Sequence, residues 1–319
     1  IYLRYLLQSR QYWQLAERLS GLPRERLISE RDLGFYLAVA YLHLRRSKEG
    51  LELTTELLAS TPPACDSFLT RRIELLRSVF LGREGQLDAA ERAAVHCLEG
   101  WDWANQNSFV ASAINSLGVV YCLRGEWASA IPQLQRALAI YAQVGNKFGV
   151  ATVNHNLGLA NRYMGYCEQA EKFFLAAAAY YDSDGILEEA IFSEAERSLA
   201  VLGMGDSRLA RRMAERALER CRRIGNIELL VETLRVMGIV LRELDDLREA
   251  RRHFDEAARR ARKNQNQQQI AEVLLERGLL ERKAGRNEAF LRDIRKAKSH
   301  FERIGATGFV RLAEQSLVT

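Results

Sequence analysis

Proline is scarce, with 4 residues in 319, and a chain with so few helix breakers can be helical almost throughout. Cysteine is scarce too. Cys65, Cys97, Cys122, Cys167 and Cys221 are odd in number and widely spaced, which excludes a CxxC ligand pair and a recognisable disulfide framework. Free thiols in a reducing cytoplasm are expected instead. No run reaches the roughly 20 uninterrupted apolar residues of a membrane-spanning helix, so no membrane partner is expected. No charged stretch followed by an apolar one opens the chain, so no secretory leader is read. The chain begins at Ile1 and not at Met, and we expect a fragment or processed form of a longer protein. Neither GxGxxG nor GxxxxGK[ST] occurs, which removes the usual phosphate loops. His43, His96, His155, His253 and His300 are scattered, with no HExxH and no i,i+4 pair, so no metal and no cofactor are expected.

What is present is a folded composition, 48% hydrophobic and 27% charged, rich in Leu, Ala, Arg and Glu, which lose little entropy in a helix. The net charge of +5 and pI near 9.0 are compatible with an acidic partner. Alone they say little for nucleic acid.

The order in the sequence is a period of 40 residues. One small position runs Ala38, Ser78, Gly118, Gly158, Ser198, Gly238, Gly278, and a turn position runs Arg45, Gly85, Gly125, Gly165, Gly205, Asp245, Gly285. A second small position runs Gly50, Ala90, Ala130, Ala170, Ala210, Ala250, and the series breaks at Phe290. A third runs Leu57, Cys97, Ala137, Ala177, Ala217, Ala257, Ala297, and a closing turn Gly145, Gly185, Gly225, Gln265, Gly305. Within one unit, Ile114, Leu117, Val120 and Tyr121 make a helix stripe that Gly125 stops, and Ala130, Ile131, Leu134, Ala137, Leu138 and Tyr141 make a second, ended by Gly145. Each unit is a helical hairpin that cannot bury its own apolar face, so neighbours must stack. The expected fold is all-α, a right-handed α-solenoid of stacked antiparallel hairpins. We expect a partial N-terminal repeat at 1–30 and seven units at 31–70, 71–110, 111–150, 151–190, 191–230, 231–270 and 271–310. Residues 311–319 would end a capping helix.

Leu117, Gly118, Tyr121, Ala130, Leu134 and Ala137 resemble the tetratricopeptide-repeat consensus. The 40-residue period exceeds that of the consensus, and Gly-Asn (145–146, 225–226) stands where its closing Pro would be. In this the chain is similar to the longer repeats of kinesin light chain, of LGN/Pins scaffolds and of bacterial MalT-like regulators. Arg197 and Arg277 depart from Leu, and Glu194 from Ile, which calls local packing into question.

The resemblance implies a non-catalytic module that holds a protein or peptide segment in a concave groove lined by first helices. Family positions 5, 6, 12 and 13 fall on Asn115, His155 and Arg235; on Ser116, Asn156, Glu196 and Glu276; on Arg162, Arg242 and Arg282; and on Tyr163, Glu243 and Lys283. Leu75 is apolar at position 5. Asn can both donate to and accept from an extended backbone, and Arg can fork onto carboxylate, so an acidic segment suits this set. By the same resemblance the chain would be the sensory or partner-binding part of a larger bacterial regulator. Other readings are a small-ligand or signalling-peptide receptor, an enzyme using Cys122 with His155, and nucleic-acid contact through the basic runs at 208–223 and 248–263. In the second run Arg259, Arg260, Arg262 and Lys263 lack obvious acids. Trp101 and Trp103, in an inter-repeat turn, could plug a neighbouring repeat or anchor a partner. The sequence does not indicate an oligomeric state.

Overall fold

The structure, a computed structural model, describes residues 11–61, 68–99 and 107–318 together with Leu3 and Leu6. Cys65, Trp101 and Trp103 lie outside the described residues. All regular structure among the described residues is helical, and the chain divides into two compact units, residues 1–105 and 106–319.

The N-terminal unit contains α1 (Tyr12–Ser20), α2 (Arg24–Ser29), α3 (Arg31–His43), α4 (Ser47–Ala59), α5 (Phe68–Arg83) and α6 (Leu87–His96). Its core gathers Leu15, Leu19, Phe35, Leu37, Leu53, Leu57, Ile73 and Phe80. Residues 12–29, where a partial repeat is expected, form α1 and the 6-residue α2, and both pack on α3. The Arg24 guanidinium donates through Nε and Nη2 to Glu56, at 2.7 and 2.9 Å, tying α2 to α4.

The C-terminal unit is five longer hairpins and a last helix: α7 (Ser108–Arg124) with α8 (Trp127–Gln143), α9 (Lys147–Tyr163) with α10 (Cys167–Ser183), α11 (Leu187–Gly203) with α12 (Ser207–Ile224), α13 (Ile227–Glu243) with α14 (Leu247–Lys263), α15 (Gln267–Lys283) with α16 (Asn287–Ile304), and α17 (Thr307–Val318). Helix α7 starts three residues before the expected 111, because Asn107 Oδ1 accepts from the backbone N–H groups of Phe109 and Val110 and caps the first turn there. Asn146, Asn226 and Asn266 cap α9, α13 and α15 in the same way.

Both turn columns are left-handed at every position, including the three that are not glycine: Arg45 (φ 56°), Asp245 (φ 61°) and Gln265 (φ 55°). The residue that reverses the chain is followed by an N–H that reaches back over the helix end, as from Glu126 to Tyr121 O at 2.8 Å and from Asn146 to Tyr141 O at 2.9 Å. Hence the Gly-Asn pairs: Gly145 and Gly225 supply the left-handed turn and the Asn opens the next helix.

The first small column is matched to the residue 16 places later. Where that residue is large, the column is glycine: a Cβ on Gly118, Gly158, Gly238 or Gly278 would come to 2.7 Å from Leu134, Phe174, Phe254 or Ile294. Where it is Thr54, Ala94 or Ala214, the column carries Ala38, Ser78 or Ser198, all buried. Close packing requires the two volumes to sum to one gap. The departures from consensus are settled by ion pairs: Arg197 to Glu171 at 2.8 Å, Arg277 to Asp293 at 2.7 and 3.1 Å, and Glu194 to Arg220 at 2.7 Å.

Helix α17 does more than cap the array. The C-terminal unit curves until α17 meets the turn between α7 and α8. A Cβ on Gly308 would lie 2.1 Å from Gly125 O, and Thr307 Oγ1 donates to Glu126 Oε1 at 3.0 Å. Phe309 fits edge-on against Trp127 and Tyr163, with ring centroids at 5.2 and 5.7 Å, and stacks on Phe301 at 4.9 Å.

Candidate functional site

In the C-terminal unit, α7, α9, α11, α13 and α15 pack on one another from hairpin to hairpin, whereas the second helices hardly touch each other. The first helices therefore form the inside of the curve. Positions 2, 5, 6, 12 and 13 of a repeat fall on one face of its first helix because of the helical period.

At the N-terminal end of this wall Asn156 Nδ2 donates to Asn115 Oδ1 at 3.0 Å, both side chains half-buried. The two predicted amides thus meet, one on α7 and one on α9. Ser116, beside them, is buried. His155 is buried as well, with Nδ1 2.9 Å from Ser193 Oγ and its ring against Phe174 and Phe192. It lies within the packing between hairpins and does not line an open groove. Burial holds its imidazole down to about 4 and pushes the Cys122 thiol up to about 12. Both groups are neutral at pH 7, so the pairing of Cys122 with His155 as thiolate and imidazolium has no support.

The arginines converge further along. Glu196, fully buried on α11, lies between Arg162 of α9 (Nε–Oε2 3.0 Å) and Arg235 of α13 (Nη2–Oε1 2.8 Å). Arg235 also contacts Glu232 at 3.0 Å and Glu272 of α15 at 3.7 Å. Burial alone would push the Glu196 carboxyl up, but Arg162 and Arg235 hold it below its ordinary value. Arg162 also stands 4.1 Å over the Tyr163 ring, which stacks on Trp127 at 4.1 Å. The charged wall is therefore continuous with the aromatic cluster that receives α17. Arg242 pairs with Glu276 at 2.8 Å and Glu243 at 2.9 Å. Lys283 pairs with Asp245 at 2.8 Å, and exposed Arg282 donates to Ser316 O at 2.9 Å. The arginines expected to line a groove do lie on successive first helices, but Arg162, Arg235 and Arg242 face carboxylates of neighbouring first helices, so they do not form a bare cationic strip.

Apart from the Arg162 Nε–Glu196 Oε2 ion pair, buried atoms of this wall without a hydrogen-bond partner include Arg162 Nη2, Gln268 Oε1 and Gln269 Oε1. Unmet donors and acceptors at one buried face are costly unless a polar partner meets them. Glu232, Glu272, Gln268, Gln269 and Trp127 were not among the residues singled out from sequence. A signal for two of them exists, since Glu232 and Glu272 occupy position 2 of their repeats. No group of three or more His, Cys, Asp or Glu among the described residues is arranged to hold a metal. None of the helices searched is long and apolar enough to cross a membrane.

On the second helices the basic runs are largely paired along each helix: Arg211 with Glu215, Arg223 with Glu219 and Arg252 with Glu249. Arg260, expected to lack an acid, has Glu256 at 2.8 Å.

The tetratricopeptide-repeat family model matches residues 109–183 and 196–263. Comparison with curated proteins returns no match. Among solved structures, the chain is similar to a Rap protein complexed with competence and sporulation factor (TM-score 0.68, 11% identity, covering 98% of this chain and 96% of that one). It is also similar to NprR in complex with its cognate peptide NprX (TM-score 0.63, 15% identity, 86% and 82%). A third likeness is to a signal-transduction ATPase with a tetratricopeptide-repeat sensor from Pyrococcus horikoshii (TM-score 0.52, 16% identity, 88% and 44%). At such identities the likeness establishes the fold. With the repeated hairpins, that fold is an α-solenoid, and the tetratricopeptide-repeat model matches it over those two stretches.

Proposed function

We propose that the C-terminal unit is a non-catalytic recognition module that binds a peptide or an extended protein segment along the wall of α7, α9, α11, α13 and α15. The observation that carries this is the set of unmet donors and acceptors on one buried face. A peptide backbone presents alternating N–H and C=O groups and can meet both kinds. The Asn115–Asn156 pair, which offers amide groups of both kinds at one end of the wall, is a natural backbone clamp. The likeness to Rap, solved with competence and sporulation factor, and to NprR, solved with its cognate peptide NprX, supports a sensory role in a larger cytoplasmic regulator, and a signalling-peptide receptor is the sharper form of that reading. The test is retention of random linear peptides on the immobilised chain, compared with the Asn115→Ala/Asn156→Ala variant. We expect retention by the first and about a tenfold loss in the second, since two backbone hydrogen bonds are removed. Equal retention by both would move the binding site off this wall.

A further inference from the structure

The inner wall is not electrically balanced. Glu196, Glu232 and Glu272 surround Arg235, and among the described residues one further guanidinium, that of Arg162, joins them. Arg162 contacts Glu196, and Arg235 makes its short contacts with Glu196 at 2.8 Å and Glu232 at 3.0 Å. Glu272, on the far side at 3.7 Å, has no close cation of its own.

The neighbours of that carboxylate add acceptors. Gln268 Nε2 donates to Glu272 Oε1 at 2.6 Å and Gln269 Nε2 donates to Glu232 Oε1 at 2.8 Å. Each donation seats an amide at a carboxylate and leaves its own Oε1 beside it. Both Oε1 atoms are buried and without a partner, and the Gln269 residue is only 7% exposed. Unmet carbonyl oxygens beside a surplus negative charge are met by a donor carrying positive charge. An anion would meet repulsion here.

We propose that Glu232, Glu272, Gln268 and Gln269 form a subsite for a cationic group of the bound segment, an ammonium or a guanidinium. This rests on the peptide-binding reading above, and it reverses the expectation from sequence that the segment is acidic. Burial, followed by repulsion from Glu232, pushes the Glu272 carboxyl up to about 7, as a carboxylate short of a counter-charge should be. The cation can come from a Lys or Arg side chain or from a free amino terminus.

Random ten-residue peptides, one pool with free amino termini and one acetylated, are passed over the immobilised chain and over Glu272→Gln. Circular dichroism confirms that the variant keeps its helices. If the cation is a side chain, both retained pools are enriched in Lys and Arg. If it is the terminal ammonium, only the free-amino pool is retained. In either case Glu272→Gln binds the selected peptides about tenfold more weakly, the loss expected for one charge-assisted hydrogen bond. Retained pools that are neutral or acidic whatever their termini, with Glu272→Gln binding unchanged, would overturn the subsite and leave the groove reading standing. No retention from either pool would overturn both.

Discussion

The two walls of the C-terminal unit carry the same residue types in opposite arrangements. On the second helices, many Arg and Glu pair three or four residues apart within one helix and stay in solvent; Arg223 and Glu219 are 74% and 68% exposed. On the first helices the central pairs run between hairpins and are dry; Arg235 and Glu196 are 4% and 0% exposed. An exposed i,i+4 pair supports its own helix by a few tenths of a kcal/mol. A buried pair between hairpins couples one repeat to the next, and losing one member strands a charge. A basic composition on the outside is thus mainly solubility, while the inner wall couples one repeat to the next and is the face proposed for binding.

Arg235→Ala should break this contrast most severely. It takes the cation from Glu232 and Glu272, leaves Glu196 with Arg162 alone, and should cost about 3–5 kcal/mol, read as a lowered urea midpoint. A cost near that of an exposed pair would mean that the inner network is not dry. Gly308→Ala should come next. Its Cβ has no room against Gly125 O, so α17 must move off the α7–α8 turn at about 1–3 kcal/mol. Hydrogen exchange should then quicken in residues 307–318 while α9 to α15 stay protected. Uniform loss of protection would show that α17 holds the whole unit together.

The inner wall should also show in the pH dependence. Glu272 is faced by Glu232 and Arg235 from α13, Glu196 from α11, Tyr163 from α9, and Gln268 from its own helix. Its folded value near 7 lies above the ordinary 4.5, so the folded state holds the proton longer and this group's contribution to stability falls as pH rises from about 4.5 to about 7. His155, held down to about 4 from 6.5, acts oppositely: its contribution is present above 6.5 and is lost as pH falls toward 4. Glu272→Gln should therefore leave a stability profile that drops more steeply on acidification than the wild type. Parallel profiles would show that Glu272 titrates normally. The smallest effect is expected outside, where Arg223→Ala should change stability by no more than about 0.5 kcal/mol. A larger loss would make the outer pairs more than a solvated face.

Much of this architecture was legible before any coordinates. Turn positions, hairpin phase and the small-residue columns are local matters, set by which residues tolerate φ > 0 and by apolar spacing, and even Arg45, Asp245 and Gln265 adopt the conformation that their columns demand. The inner face proposed for binding was legible from helical spacing, and Asn115, Asn156, Arg162, Tyr163 and Arg235 sit on neighbouring first helices. Their partners were not legible. Arg235 meets Glu196 from 39 residues earlier and Glu272 from 37 later, and repeat spacing indicates neighbouring hairpins without saying which charges will lie within 3 Å.

The sequence by itself determined the unit: a helix, a left-handed turn, a second helix and a second turn, repeated every 40 residues, with glycine placed where a large side chain comes 16 residues later. Only the tertiary structure decided how the units sum. The small rotation between successive hairpins accumulates along the C-terminal unit. It brings Gly308 against Gly125 and closes Phe309 onto Trp127 and Tyr163. It also turns the inner arginines toward carboxylates of neighbouring hairpins, where low dielectric makes each missing or surplus charge count.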